Sequence, residues 1–394
     1  MIRTSKYLLR PNDEQAKALE FLLWQSRLIY NLALEQRITT YRDTGKGIGY
    51  NSQWAHFRDL RRENSETFGK LNASSLQHLL RRLDKAFQAF FRRVKAGETP
   101  GYPRFKGRNR FKSIEYTYGD GCKLRENEHG HRSFYVQNVG EMRMCFHRPI
   151  PASAAIQHAV VKQVDNRWYV CLMVKLLPNS LADRAKQHAP TGMQIGVDAG
   201  LKKLLALSNG QLIENPRFLK ESLAGLRRTQ RHASRQTRGS RRQSKTYTRI
   251  AHLHQQVANQ RRDYLHKLAN SLVSEFDLIA IEDLSLAFMN RNKHLSRSSH
   301  DASLGLLRQL LQYKAEEAGI EVIAVNPYNT SQMCSGCGIL VPKNLSVRVH
   351  ECPDCGLILD RDVNAARNIL SLALQTPPGR GGQSITWAIT PSVD

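Results

Sequence analysis

The chain has 394 residues, 41% of them hydrophobic and 24% charged, which is enough to build two or three cores without disulfide staples. Small stapled scaffolds are excluded, and Leu-rich and aromatic segments throughout argue against wholesale disorder. With 59 Lys and Arg against 34 Asp and Glu the net charge is +25, which points to a polyanionic partner.

No run of roughly 18 apolar residues could span a bilayer, and Met1 to Arg10 lacks the apolar core of a signal peptide. The expectation is a cytoplasmic, nucleoid-associated chain without a membrane partner.

In chain order, Asn12 and Gln15 have capping-box spacing ahead of Leu19, Leu22, Leu23, Ile29 and Ala33, predicting one helix over 12–41. Ser74 and Gln77 repeat that spacing. They open a stripe of Leu76, Leu79, Leu80, Leu83, Phe87, Phe90, Phe91 and Val94, opposed by Arg81, Arg82, Lys85, Arg92 and Arg93 and stopped by Gly97 and Pro100.

From Gly101 the texture becomes β-like. GYPRFKGRNRFKSIEY interleaves Tyr102, Phe105, Phe111 and Tyr116, which could stack on bases, with Arg104, Lys106, Arg108, Arg110 and Lys112, which could meet phosphates. A charged, solvated loop is the plainer reading. His158–Val164 and Trp168–Val174 flank Asp165-Asn166, a hairpin signature.

A polar stretch between Leu177 and Thr191 suggests a domain boundary near 180–192, after which apolar strands alternate with helices. Residues 222–262 contain no Asp or Glu but carry Arg227, Arg228, Arg231, Arg235, Arg238, Arg241, Arg242, Lys245, Arg249, Arg261 and Arg262. Such a segment repels itself unless an anion lies against it, so nucleic-acid contact is preferred over an exposed amphipathic hairpin. His252-Leu253-His254 with Tyr264 mimics the set used by single-strand transposases. Ala251 to Phe276 reads as helix, however, and that puts the two histidines on different faces.

Three acids sit at edges of expected elements: Asp198 after QIGV, Glu282 after DLIAI, and Asp362 opening VNAARNIL. A lone acid at a strand end is usually a turn former or cap. Together, three carboxylates on rigid elements could hold two Mg²⁺ ions for phosphodiester hydrolysis. Asp360 competes with Asp362 for the third place; Asp362 is favoured, as helix N-cap. Four of the seven cysteines, Cys334, Cys337, Cys352 and Cys355, form two CxxC pairs, a set suited to a closed structural Zn²⁺ site. A redox pair and an iron–sulfur cluster are the alternatives; Gly338 and Gly356 just after the second cysteines favour zinc.

IGVDAGLKKLLALSNG, IEDL, and NPYNTSQMCSGCG through ECPDCGLILDRDVNAARNI together resemble the TnpB family of transposon-encoded nucleases, relatives of the compact type V CRISPR effectors. The resemblance implies an α/β plus β-barrel chain. A RuvC-like, ribonuclease H-type nuclease domain (190–330 and 357–374) would carry an inserted zinc-binding target-nucleic-acid module (331–356). It would be preceded by a wedge β-barrel domain (1–10 and 99–180) with an inserted helical recognition domain (11–98), and 375–394 would be a flexible tail. It further implies Asp198, Glu282 and Asp362 as catalytic magnesium ligands and Cys334, Cys337, Cys352 and Cys355 as zinc ligands. The partners implied are a guide RNA from the transposon end and target double-stranded DNA cut beside a short transposon-associated motif. A nuclease-inactive RNA-guided repressor or transposition accessory is the alternative. A DDE-type transposase is disfavoured because its acids run Asp, Asp, Glu.

Overall fold

A computed structural model describes residues 2–126, 128, 130–152, 154–176, 189–283, 296–344 and 346–375. Except for Gln375, the expected tail lies outside the described residues. The chain divides into two compact units, Met1–Ser180 and Leu181–Asp394.

The first unit begins with β1 (Ile2–Arg10), whose alternating burial marks a strand with one core face. In α1 (Asp13–Thr44) the capping box forms as the spacing requires: Gln15 N donates to Asn12 Oδ1 at 2.8 Å and Asn12 N to Gln15 Oε1 at 3.0 Å. The helix runs past residue 41 and stops at Gly45, whose φ of 66° suits a glycine cap. α2 (Tyr50–Glu63) precedes α3 (Ala73–Lys95), where the expected Ser74 box is not used. Asn72 caps instead, accepting from the backbone of Ser74 and Ser75, while the Ser74 hydroxyl donates to Asn72 Oδ1 at 2.6 Å. The apolar stripe buries Leu76 to Phe87 but ends exposed, with Phe91 at 60% and Val94 at 50%.

Six further strands follow: β2 (Ser113–Thr117), β3 (Cys122–Glu126), β4 (Arg132–Val136), β5 (Gly140–Cys145), β6 (Ala155–Val164) and β7 (Arg167–Lys175). With β1 they form a seven-stranded antiparallel sheet in the order β2-β6-β7-β1-β5-β4-β3. Among the described residues no ladder joins the edge strands β2 and β3. The β6–β7 turn is Asp165-Asn166 with φ of 50° and 58°, the doubly positive geometry that such a dipeptide tolerates.

In the second unit β8 (Gln194–Ala199), β9 (Lys203–Leu207) and β10 (Leu212–Glu214) form an antiparallel meander. The Arg-rich stretch then folds as two helices packed on one another, α4 (Phe218–Ser234) and α5 (Arg241–Glu275). α5 starts well before residue 251, because Ser240 caps it by accepting from Gln243 N at 3.1 Å. β11 (Leu278–Glu282), α6 (Ser296–Ala302), α7 (Leu304–Ala318), β12 (Glu321–Val325), the small pair β13 (Val349–Glu351) and β14 (Ile358–Asp360), and α8 (Arg361–Gln375) complete it.

The main sheet runs β10-β9-β8-β11-β12, with β8, β11 and β12 parallel. One face buries Ile195, Val197, Ile279 and Ile281 against α5 and α7, including Leu265, Leu272, Leu307 and Leu311. The other face receives α8 through Ala280, Val325, Ile369 and Ala373. Gly196 makes that approach possible, since a Cβ there would lie 2.0 Å from the Ala366 carbonyl oxygen.

Candidate active site

Strand alternation decides which acids meet. Asp198 is two residues beyond Gly196 and shares its α8-facing side. Glu282 stands in the same relation to Ala280, which packs on α8. The parallel register Ile281↔Val197 puts Glu282 level with Asp198 on the neighbouring strand. Asp362 lies in the first turn of α8, four residues before Ala366, the residue against Gly196. Three positions distant in the chain therefore converge at one end of the sheet.

Their electrostatics agree. The Asp198 carboxyl is pushed well above the ordinary carboxylate range, by burial first and then by the charges of Glu282 and Asp362. Burial also raises Glu282, against the opposing hydrogen bond from the Thr330 hydroxyl to Glu282 Oε1. Burial raises Asp362, with Asp360 adding to it and Arg348, Arg361 and Lys202 opposing it. Among the described residues the three carboxylates do not all come within 4.8 Å of one another.

The competing acids are spoken for. Asp360, not Asp362, caps α8: Asp360 Oδ1 accepts from the backbone N–H of Asp362 at 2.8 Å and of Val363 at 3.3 Å. The capping role expected of Asp362 is thus corrected, because the side chain two residues earlier already satisfies those donors. Asp283, next to Glu282, is exposed and takes a 2.7 Å bond from Arg308. Arg348 is 3.8 Å from Asp362, beyond hydrogen-bond range.

The four cysteines come together as their spacing requires, all sulfurs lying within 4.8 Å of one another. The Cys334–Cys355 and Cys337–Cys352 sulfurs are 3.6 and 3.5 Å apart, near the roughly 3.8 Å edge of a tetrahedron with 2.3 Å Zn–S bonds. The donor set fits Zn²⁺. Both knuckles turn alike: Gly338 N donates to Cys334 O and Gly356 N to Cys352 O, each glycine at positive φ (80° and 70°). Cys122, Cys145 and Cys171 form no disulfide.

Sequence reasoning missed what ties this cluster to α8. Asn364 and Asn368 are buried one helical turn apart, and both donate to the Met333 carbonyl at 2.7 Å. Asn364 also accepts from Ser335 N, and Arg361 reaches Asn344 O and Ser331 Oγ. The only hint was two Asn at i, i+4 in VNAARN.

The cationic candidates divide. Arg227, Arg228, Arg231, Arg235, Arg238, Arg241, Arg242, Lys245, Arg249 and Arg262 are exposed along α4, α5 and their turn, whereas Arg261 bonds Asp301 at 2.7 Å. Arg104, Arg108 and Arg110 are exposed. Lys106 is half-buried, and Lys112 donates to Gln163 at 2.9 Å. Tyr102 and Phe105 are exposed at 46% and 54%, but Phe111 and Tyr116 are buried at 2% and 1%. Those two rings belong to the core and are withdrawn as base-stacking candidates. His252 and His254 are both on helix α5, away from any strand. No described helix is long and apolar enough to cross a membrane.

Comparison with known proteins agrees across the chain. Residues 305–369 match the "Cas12f1-like, TNB domain" family, 171–293 a "Probable transposase" family and 1–46 a "Helix-turn-helix domain" family. In this structure residues 2–46 hold a strand and one long helix, β1 and α1. A protein of Streptomyces pristinaespiralis named "Putative RNA-guided DNA endonuclease" is 32% identical over 94% of this chain and 89% of its own. One of Escherichia coli with a similar name is 29% identical over 94% of this chain and 92% of its own. A "TnpB-like protein" of Methanocaldococcus jannaschii is 35% identical over 27% of this chain and 41% of its own. Among solved structures, Cas12f1 in complex with guide RNA and target DNA superposes at a TM-score of 0.58, 18% identity, over 91% of this chain and 83% of its own. A CRISPR-Cas_phi3 endonuclease gives 0.52 at 9% identity over 95% and 92%. These likenesses speak for the fold alone. From the near full-length relatives and the matched families, the chain belongs to the TnpB family, related to the compact type V effectors.

Proposed function

We propose that this protein is an RNA-guided DNA endonuclease encoded by an insertion sequence, cleaving target DNA beside a short transposon-associated motif through a RuvC-like, ribonuclease H-type site. The observation that carries the reading is the gathering of Asp198, Glu282 and Asp362 on the α8 side of the sheet while Asp360 and Asp283 are engaged elsewhere. Names of the near full-length relatives support it.

In this reading the three carboxylates hold divalent cations, with Mg²⁺ as the hard ion their oxygens suit. Two ions held there would supply an activated water and stabilisation of the departing 3′-oxygen. The protein keeps the ligands on a strand pair and a helix start, so little reorganisation is needed. Thr330 orients Glu282 by its hydroxyl bond, and Asp360 fixes the first turn of α8 that presents Asp362. The carboxyls repel one another when ion-free, a strain that a divalent ion relieves.

Zn²⁺ would occupy the cysteine cluster as a structural ion. Asn364 and Asn368 would then couple that module to the helix bearing Asp362. The exposed cations of α4 and α5, with Arg104, Arg108 and Arg110, would grip phosphates while base pairing reads sequence, so the protein needs charge more than base-specific chemistry.

The test is to isolate the chain with its copurifying RNA, sequence that RNA and offer a matching duplex with Mg²⁺. Cleavage should require both the match and the ion, and Asp198→Ala should abolish cutting but retain RNA. Equal cutting without guide would reject RNA guidance. Tight target binding without cleavage under any divalent ion would identify a nuclease-inactive binder.

A further inference from the structure

A further cluster of ligating side chains lies in the first unit, separate in the chain from the three acids and the four cysteines. His78 is on α3, Glu115 on β2 and His158 on β6. The β2–β6 ladder pairs Thr117 with His158, so Glu115, two residues along, shares their face. His78 is brought over that face by α3, which packs on β2.

The geometry is that of a ligand set. His78 Nδ1 is 3.5 Å and His158 Nδ1 3.9 Å from the same oxygen, Glu115 Oε1. One ligand atom from each residue lies within 4.8 Å of the other two. Metal bonds of about 2.0–2.2 Å in a tetrahedron put ligand atoms roughly 3.3–3.6 Å apart, so the two histidine–carboxylate spacings of 3.5 and 3.9 Å are close to those of a closed site.

Two further features separate it from a chance meeting of polar groups. His158 Nδ1 is buried yet has no hydrogen-bond partner, an orphan atom aimed at the carboxylate. The other nitrogen of His78, Nε2, is 3.0 Å from Thr117 Oγ1, the outer hydrogen bond that fixes a ligating imidazole's orientation. The two rings stand edge to face, 5.1 Å apart, so both can direct a nitrogen inward without clashing.

We infer that His78, Glu115 and His158 form a further metal site, for a divalent transition ion of the Zn²⁺, Co²⁺ or Ni²⁺ class, clipping α3 to the edge of the seven-stranded sheet. Two imidazoles and one carboxylate favour these ions over Mg²⁺, which prefers all-oxygen surroundings. Glu115 and His158 are more than a third exposed, which leaves a coordination position open to water, so the ion exchanges more readily than one held by four cysteines. The inference does not depend on the nuclease reading.

The test uses the full-length chain, stripped with a chelator and dialysed against Zn²⁺ at micromolar free concentration, with bound metal counted by mass spectrometry. His158→Ala and Glu115→Gln should each bind one ion fewer than the parent. Cys352→Ser should lose a different ion, so the two losses add in the double variant. With Co²⁺, the ion lost in His158→Ala should lack the intense sulfur charge-transfer band that the cysteine cluster produces. Zn²⁺ should also raise the melting temperature of the Cys352→Ser chain more than that of Cys352→Ser/His158→Ala. Equal zinc counts in parent, His158→Ala and Glu115→Gln would overturn the site. So would a Co²⁺ difference spectrum dominated by thiolate bands.

Discussion

The backbone N–H of Asp362 donates to the carboxylate of Asp360 at 2.8 Å, so two acids in one motif have divided roles. Asp360 closes the start of α8, and the charge of Asp362 is left to bear on the Asp198 carboxyl. Asp360→Ala should cost about 1 kcal/mol of stability, the usual loss on removing a cap, while Asp360→Asn should cost only a few tenths. Chemical denaturation checks this, and an Asp360→Ala chain as stable as the parent would mean that the cap contributes nothing.

Raised carboxyl pKa values make the ion-free site a liability. Asp198, Glu282 and Asp362 each hold their proton more tightly in the folded chain than in the unfolded one. The folded state therefore binds more protons, and stability falls as pH rises from the ordinary carboxylate range through the raised folded values. Asp198→Asn should therefore raise the melting temperature of Mg²⁺-free protein at neutral pH. The gain should shrink as pH drops towards 4. Melting curves across that range test it, and a gain that grows on acidification would contradict the sign.

Gly196 faces the Ala366 carbonyl with no room for a methyl group. Gly196→Ala should therefore push α8 off the sheet and cost about 1–3 kcal/mol, with Asp362 displaced alongside. Denaturation and cleavage should fail together. A variant of parental stability would show that the helix can shift freely.

Much of the site was legible because it rests on local signals. Asn12 and Gln15, Asp165-Asn166 and the two CxxC knuckles each encode a backbone geometry within a few residues. Asp198 and Glu282 were visible because each ends an apolar strand. What escaped depends on packing between distant segments. The Asn72 cap is an exception, a local signal hidden behind the box spacing of Ser74 and Gln77, whereas Phe111 and Tyr116 are indistinguishable by type from the exposed Tyr102 and Phe105. Thr330, Asn364 and Asn368 acquire their roles only when α8 meets the knuckle. His78, Glu115 and His158 come from three elements with no shared motif.

The exposed cations of α4 and α5 should act as a phosphate grip. Replacing Arg235 and Arg238 by Gln should weaken binding of the copurified RNA with little regard to sequence. It should also reduce the salt dependence of log K by about 0.7–0.9 per cation removed. Affinity measured across a salt series distinguishes this from a structural role, which would leave the slope unchanged.

Catalysis in the proposed reading rests on Asp198, Glu282 and Asp362 acting as one set of ion ligands. The most direct measurement is guide-dependent cleavage of a matched duplex by four isosteric variants: Asp198→Asn, Glu282→Gln, Asp362→Asn and Asp360→Asn. The first three should fall by at least about 10²-fold, the loss expected on removing one preorganised electrostatic group, while Asp360→Asn keeps cutting near the parental rate. Parental cutting by any of the first three, or its collapse in a folded Asp360→Asn chain, would contradict the assignment.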